Sequence, residues 1–276
     1  MNVRTKWMFA NWKVSGSKEL MHAALRSISG LLNQTNAGSL VIATPNIYIR
    51  ETIALTRELS PYLAVGCKNI NTELHTFTGE LSAQQAKQLG VDVCVIGHKE
   101  RNAHLNEGHY SYRLKINHLI HNGIKPVLCI GETQAERESG LSAERWREQI
   151  LSALQDVALQ DLSKITLVYE PCVHPQLLSL SVAVFAEQTH SQIRALIGQH
   201  YGVDIANKIR IIYGGPVNID NLLSVINQPN VDGLFMDCAN SNLGNFNAIC
   251  QQFFGFKSVY QYKTEVGEEK VARVSY

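Results

Sequence analysis

Polar residues that suit proton transfer follow three of the short apolar segments of this chain. Asn11 and Lys13 end the first segment, His98 and Glu100 follow the fourth, and Glu170 ends the sixth. A carboxylate can abstract a proton next to a carbonyl group, a neutral imidazole can polarise the carbonyl, and an ammonium can stabilise the negative charge that develops. Each residue alone would be an ordinary solvated side chain. Their occurrence together at three segment ends predicts proton transfer next to a carbonyl, and no equivalent set for a Ser or Cys triad is evident.

These residues need a fold that brings the ends of separate segments together. Short β-branched runs alternate with amphipathic stretches of helical period eight times along the chain. The runs are MFANW, LVIAT, LAVGC, VDVCVIG, PVLCIGE, ITLVYE, IRIIYGG and VDGLFMD. Nearly all their residues are apolar, which is typical of parallel strands covered on both faces. Eight such units over about 250 residues predict an α/β protein, a single-domain (β/α)8 TIM barrel whose active site lies at the carboxyl ends of its strands.

An open, doubly wound sheet is the alternative for alternating strands and helices. That fold would need a Gly-rich phosphate turn after its first strand, and neither GxGxxG nor GxxxxGK followed by Ser or Thr occurs in the sequence. No internal repeat or low-complexity linker divides the chain, so residues 1–256 are predicted to form one barrel domain. Residues 257–276 lie beyond the eighth unit. They are predicted to be a C-terminal extension that packs as an extra strand or trails in solvent.

Charge and composition exclude several classes of function. Lys and Arg number 25 against 24 Asp and Glu, a net charge of +1 over 276 residues, so no nucleic acid and no membrane is expected as a partner. No run of about 18 apolar residues and no signal peptide is evident, which predicts a soluble, cytoplasmic protein. The six cysteines form no CxxC pair, which favours reduced, buried thiols over a zinc site or a disulfide framework. No metal and no cofactor is expected.

Seven short motifs occur in order along about 250 residues of the chain. They are NWK at 11–13, HTFTGE at 75–80, IGHKER at 96–101, CIGE at 129–132, YEP at 169–171, YGG at 213–215 and VDG at 231–233. Together they resemble the triosephosphate isomerase family. The resemblance implies an aldose-ketose isomerase that interconverts glyceraldehyde 3-phosphate and dihydroxyacetone phosphate, or a related small sugar, through an enediol. It also implies a place in glycolysis and gluconeogenesis.

The resemblance assigns a role to each of the polar residues that follow the first, fourth and sixth segments. It implies that Glu170 is the base, that His98 is the electrophile, and that Asn11 and Lys13 contact the substrate. Glu100 stands at the spacing of a further acidic residue of the family, placed near Lys13 and the reacting oxygens. A direct part in proton transfer and a merely positioning part, through a salt bridge to Lys13, both remain open for Glu100.

The resemblance also implies a homodimer. In the family, the Thr of the FTGE segment reaches into the neighbouring subunit beside the Asn and Lys of the first strand. Thr78 would therefore contact Asn11 and Lys13 of a second copy. The loop at 69–77 is about one residue shorter than is usual in the family. Its exact contacts with the second copy should therefore differ from those of the family, whereas the loop itself is expected.

The loops with which the family holds a phosphate group differ in this chain. The family's flexible lid reads roughly PVWAIGTGK, whereas residues 171–179 read PCVHPQLLS, without either glycine or the terminal lysine. Pro175 stiffens this segment and removes a backbone donor. Lys99 stands where the family has a small Ser. It could place a cation near Glu170 or a substrate anion, or it could be a solvated surface lysine.

The two loops after the seventh and eighth strands are altered as well. The resemblance places Gly214, Gly215, Asp237 and Cys238 at the substrate, but Pro216 replaces a Ser, and Asp237 and Cys238 replace paired glycines. A carboxylate about 4 Å from a second charge, at an effective dielectric near 20, is repelled by roughly 4 kcal/mol. That repulsion corresponds to a loss of affinity on the order of a thousandfold if the carboxylate faces the pocket.

Three hypotheses follow from these observations. The chain is an active isomerase of a small sugar phosphate; or it keeps the isomerase chemistry on a longer or unphosphorylated carbonyl compound; or it is a non-catalytic barrel paralogue that binds a metabolite or a protein partner. The retention of all five polar groups favours an isomerase, because they have little structural reason to persist together in a binding protein.

Overall fold

The architecture is a closed barrel of eight parallel strands, β1-β2-β3-β4-β5-β6-β7-β8, in which β8 pairs with β1. The computed structural model describes residues 4–13, 17–35, 39–72, 77–173, 180–238 and 243–265. The strands are β1 Trp7–Asn11, β2 Leu40–Ala43, β3 Leu63–Lys68, β4 Val93–Ile96, β5 Lys125–Ile130, β6 Thr166–Tyr169, β7 Arg210–Tyr213 and β8 Gly233–Asp237. The predicted (β/α)8 fold is therefore confirmed, with one strand in each of the eight apolar runs.

Helices surround the barrel and connect successive strands. They are α1 Lys18–Thr35, α2 Ile49–Leu59, α3 Ala83–Leu89, α4 Lys99–Leu105, α5 His109–His121, α6 Gln134–Glu138, α7 Ser142–Leu154, α8 Leu159–Leu162, α9 Val182–Tyr201, α10 Val203–Lys208, α11 Leu222–Ile226 and α12 Leu243–Glu265, with a 3-10 turn at Asn46–Tyr48. No helix in the described part of the chain is long and apolar enough to cross a membrane.

The strands are buried on both faces, which explains their nearly continuous apolar sequence. One face of each strand fills the barrel interior, where Phe9, Val95, Val168 and Phe235 belong to one buried cluster. The alternate residues, such as Met8, pack outward against the surrounding helices in a second and larger cluster. The interior is a packed core, so the polar residues that follow the strands lie at the barrel rim.

Strand register sets the level of the rim residues. Asn11 at the end of β1 pairs with Asp237 at the end of β8. Tyr169 of β6 pairs with Tyr213 of β7, so that Glu170 and the glycines after Tyr213 leave the barrel side by side. Closure of the barrel thus brings together the end of β1 and residues more than two hundred positions later.

The C-terminal helix crosses the predicted domain boundary. Residues 257–265 continue α12 as helix, so the expectation of an extra strand or a trailing segment is replaced by helix over those residues. Residues 266–276 lie outside the described part. The division into a barrel and an extension stays a prediction.

Candidate active site

The end of β1 and the end of β8 are tied together by polar contacts. The Asn11 amide donates to Asp237 Oδ1 over 2.8 Å. The Lys13 ammonium lies 2.9 Å from Asp237 Oδ2 and 2.6 Å from Glu100 Oε1. Lys13 therefore sits between two carboxylates from opposite sides of the barrel rim, and its position is fixed by both.

His98 is held as the N-terminal cap of α4. Its Nδ1 accepts a hydrogen bond from the Glu100 backbone N–H over 3.4 Å. Because Nδ1 is an acceptor, the neutral ring carries its hydrogen on Nε2. Gly97, at φ 72°, supplies the turn out of β4 that allows His98 to cap the helix.

Glu170 lies directly after β6 with its carboxylate almost fully buried. Its Oε1 is 3.5 Å from His98 Nε2. Within the described residues, neither Glu170 Oε2 nor His98 Nε2 has a hydrogen-bond partner, and the same holds for Asn11 Oδ1. Buried polar atoms normally have partners, so the unpaired atoms of Glu170 and His98, two side chains that approach each other to 3.5 Å, leave hydrogen-bonding capacity for a polar ligand.

The charged groups of the rim shift one another's pKa values. Burial lowers the pKa of Lys13, but its hydrogen bonds to Asp237 and Glu100 outweigh burial, and the net shift is upward. The hydrogen bond from Lys13 lowers the pKa of Glu100. Both groups are therefore charged at neutral pH, and the Lys13 ammonium is the one of the two that can stabilise negative charge on a ligand oxygen.

Lys68 is a rim residue that the sequence did not single out. Its ammonium donates to the Trp12 carbonyl, and burial together with the charge of Lys13 lowers the pKa of Lys68 to about 8. It is the last residue of β3. Lys68 could have been identified from the sequence, because it is a polar residue at the end of an apolar run, like the residues identified at the other strand ends.

A cavity of about 560 Å³ opens beside Glu170 and extends over the ends of β7 and β8. Gly214, Gly215 and Asp237 line it together with Lys99, and the predicted contact of Gly214, Gly215 and Asp237 with a substrate stays a prediction. Cys238 is buried at 1% exposure, and its N–H donates to the Asn11 carbonyl over 3.0 Å. A substrate contact of Cys238 therefore stays a prediction.

The remaining predicted residues lie at the edge of the described structure. Thr78 is exposed next to Phe77, whose side chain is also exposed. Its contact with a second copy of the chain stays a prediction. Residues 174–179 of the altered lid, including Pro175, lie outside the described part.

A (β/α)8 barrel with a carboxylate, an imidazole and an ammonium on its carboxyl-end rim has the groups that an isomerase working by proton transfer requires. Residues 6–253 match the family model of triosephosphate isomerase. The chain belongs to the triosephosphate isomerase family, and it is an aldose-ketose isomerase of that type. The family implies a sugar phosphate as the class of substrate.

Individual relatives agree with this assignment. The chain is 30% identical over 255 residues to the triosephosphate isomerase of Francisella tularensis subsp. mediasiatica, covering 90% of this chain and 96% of that protein. It is 31% identical over 247 residues to the triosephosphate isomerase of Idiomarina loihiensis, covering 88% and 96%. The crystal structure of triosephosphate isomerase from Bartonella henselae has the same fold, with a TM-score of 0.77 at 24% identity over 90% of this chain and 98% of that one.

Proposed function

We propose that the chain interconverts an aldose and a ketose, glyceraldehyde 3-phosphate and dihydroxyacetone phosphate or a related small sugar, with Glu170 as the base. Glu170 takes the proton from the carbon between the carbonyl and the hydroxyl group, and an enediol forms. The Nε2–H of His98 donates to the oxygen on which negative charge develops. Glu170 then returns the proton to the neighbouring carbon, while the hydroxyl proton passes from one substrate oxygen to the other, so that protons and electrons balance within the substrate and no redox partner is needed.

The observation that carries this proposal is the pair of buried, unpaired atoms Glu170 Oε2 and His98 Nε2 in one site. A proton acceptor and a hydrogen-bond donor, with Oε1 and Nε2 separated by 3.5 Å, suit the two ends of one small carbonyl compound. Both side chains are buried, so a bound substrate would meet them with little competing water.

Lys13 and Asn11 are proposed to complete the site. The ammonium of Lys13 stabilises the enediolate oxygen, and the free Oδ1 of Asn11 accepts a hydrogen bond from a substrate hydroxyl. Glu100 acts mainly as a positioning residue, since its Oε1 lies 2.6 Å from Lys13 Nζ while its side chain is half exposed. The ion pair holds the ammonium over the site.

Solvent hydrogen exchange tests the proposed chemistry. In D₂O, the protein should incorporate deuterium next to the carbonyl of dihydroxyacetone phosphate or of dihydroxyacetone, as followed by NMR, because the enediol takes its proton back through Glu170. Glu170→Gln should slow exchange by about 10²–10⁴-fold. Glu148→Gln, an exposed carboxylate on α7, serves as the matched control and should exchange at the parent rate.

The expression host for this experiment should lack its own triosephosphate isomerase. Exchange that survives Glu170→Gln at the parent rate would refute the assignment of the base. A protein that exchanges none of these compounds would instead favour the non-catalytic paralogue.

The assembly and the location of the protein are also proposed from the family. A homodimer is supported by the exposed Phe77 and Thr78, which lie in the segment that the family uses between subunits. Light scattering should therefore give twice the 30.8 kDa chain mass. The cytoplasm is the proposed compartment, supported by six free cysteines, five of them buried.

A further inference from the structure

Lys68, the last residue of β3, places a half-buried ammonium at the barrel rim. The ammonium donates to the carbonyl of Trp12. Burial, together with the charge of Lys13, lowers the pKa of Lys68 to about 8. The folded protein therefore holds this charge against a desolvation cost, and an apolar side chain at the same place would avoid that cost. A charge that is kept under such conditions is typical of a functional group.

The hydrogen bond from Lys68 anchors the peptide group that joins Trp12 to Lys13. Trp12 is buried, and its N–H donates to the Ala43 carbonyl at the end of β2 over 2.9 Å. Its carbonyl accepts the hydrogen bond from Lys68 at the end of β3. Both polar backbone groups of Trp12 are thus held, one by β2 and one by β3. Lys68 therefore acts on Lys13 through the main chain, whereas two carboxylates hold the Lys13 ammonium.

Lys68 also balances the charges around Lys13. Three charged groups act on its ammonium: Lys13 after β1, Asp237 at the end of β8 and Glu100 on α4. These three groups alone carry one positive and two negative charges, and Lys68 brings the sum to zero. A net negative charge would oppose the negative charge that develops on a substrate oxygen near Lys13. The ammonium of Lys68 removes that opposition.

We propose that Lys68 is a positioning residue of the isomerase, which fixes the main chain at Lys13 and offsets the neighbouring carboxylates so that the Lys13 ammonium can stabilise the oxyanion. This inference rests on the proposed Glu170 chemistry and adds a residue to it. Lys68 contributes its charge only while it is protonated. Because its pKa is about 8, this contribution is complete well below pH 8 and is lost as the pH rises through that value.

The first experiment follows Lys68 without turnover. The lysines are labelled with ¹³C, and the Cε resonance that disappears in Lys68→Arg is titrated by NMR between pH 6 and pH 10. The Lys68 signal should titrate at about 8, well below the ordinary lysine value of 10.5. A signal that titrates at the ordinary value would show that the ammonium is not held in its buried contact with Trp12, and it would overturn the proposal.

The second experiment measures kcat/KM for glyceraldehyde 3-phosphate between pH 7 and pH 9.5, since this constant reports the ionisations of the free enzyme. The parent value should fall through about pH 8 as Lys68 loses its charge. Lys68→Met should be about tenfold below the parent at pH 7, a smaller loss than the roughly 10²–10³-fold of removing a direct oxyanion donor, and its profile should lack the fall. Lys68→Arg keeps the charge throughout, so it should stay within about threefold of the parent at pH 7 and also lack the fall.

Lys6 supplies a matched control. It precedes β1, at the opposite end of the barrel, and its ammonium donates to the carbonyls of Gln228 over 3.2 Å and Val231 over 2.8 Å. Burial lowers the pKa of Lys6 to about 8 as well. Lys6→Arg should keep the parent rate and the fall near pH 8. The same change of profile in Lys6→Arg and in Lys68→Arg would overturn the proposal, because it would show a general effect of buried lysines on the fold.

Circular dichroism at each pH shows whether the variants are folded. Among folded variants, Lys68→Met at the parent rate would overturn the proposal, and so would Lys68→Arg at the rate of Lys68→Met. A fall near pH 8 that persists in Lys68→Arg would assign the ionisation to another group, with the same consequence. If Lys68→Met does not fold, the profiles of the parent and of Lys68→Arg decide.

Glu170→Gln tests the underlying chemistry separately. Turnover by Glu170→Gln at the parent rate would refute the proposed base, whatever the Lys68 variants do. An inactive Glu170→Gln beside Lys68→Met at the parent rate would refute only the role of Lys68. A parent protein that does not turn over glyceraldehyde 3-phosphate would refute the proposed reaction on that substrate, and the NMR titration then still decides whether Lys68 is held at Trp12.

Discussion

The buried side chain of His190, directly behind the active site, should make the free energy of unfolding sensitive to acid. It lies on α9 and is fully buried, with its ring 6.1 Å from that of Tyr169 and 5.9 Å from that of Tyr213. Its Nδ1 is 3.3 Å from the Asn230 carbonyl oxygen, which Nδ1–H contacts as a donor. Burial lowers the pKa of His190 from 6.5 to about 4, so the folded protein holds the neutral ring.

The sign and size of the effect follow from proton binding. Between pH 6.5 and 4 the unfolded chain protonates this histidine while the folded chain does not, so the free energy of unfolding falls as the pH falls. The complete loss is about 3 kcal/mol below pH 4, and about 2 kcal/mol is already lost at pH 4.5. Asp232 and Arg194 near the ring are paired with each other over 2.6 Å, so burial dominates.

The measurement is urea unfolding at pH 7, 6, 5 and 4.5, at one fixed protein concentration because dimerisation adds to stability. His190→Gln should lose about 2 kcal/mol less than the parent protein between pH 7 and 4.5. His200→Gln, on the same helix but exposed, should lose as much as the parent. Equal losses in the parent and in His190→Gln would refute the reasoning, since they would show that the buried ring titrates as in the unfolded chain.

Three further outcomes are expected. Lys13→Met should lower kcat by about 10²–10³-fold, and it should raise the pKa of Glu100 in an NMR titration, because Glu100 loses the hydrogen bond that lowers it. Gly214→Ala should lower kcat and the melting temperature together, since the new Cβ would lie 2.9 Å from Cγ of Glu170. Thr78→Arg should convert the proposed dimer to monomers in light scattering, and a dimer that survives this change would place the interface elsewhere.

The strands were predictable from the sequence because burial on both faces makes each of them a continuous apolar run. The long helices were predictable from their period. The helices α4, α6, α8 and α10 have at most seven residues each, and a stretch that short carries too little periodicity to identify a helix by itself. Their ends depend on local capping, such as the His98 side chain at the start of α4, which hydrophobic periodicity does not reveal.

The site was predictable in part. The sequence places Asn11, His98 and Glu170 at strand ends, and the fold brings strand ends together. The contact between Asn11 and Asp237 joins residues 226 positions apart. It depends on closure between β1 and β8, so the sequence could identify Asp237 as a charge near the pocket but could not say which groups it contacts.

Asp237 connects the end of β8, where the sequence differs from the family, with Asn11 and Lys13, which the family shares. Its carboxylate repels an anion in the cavity, yet the same carboxylate holds the Asn11 amide and the Lys13 ammonium. Glu100 binds Lys13 from the other side, so Lys13 is fixed by two charges. The carboxylate that repels an anion in the cavity therefore also holds the Lys13 ammonium in place. It follows that Asp237→Gly would not simply improve phosphate binding, because it would also release Lys13 from one of the two carboxylates, and any gain in phosphate affinity would be accompanied by a lower kcat for every substrate.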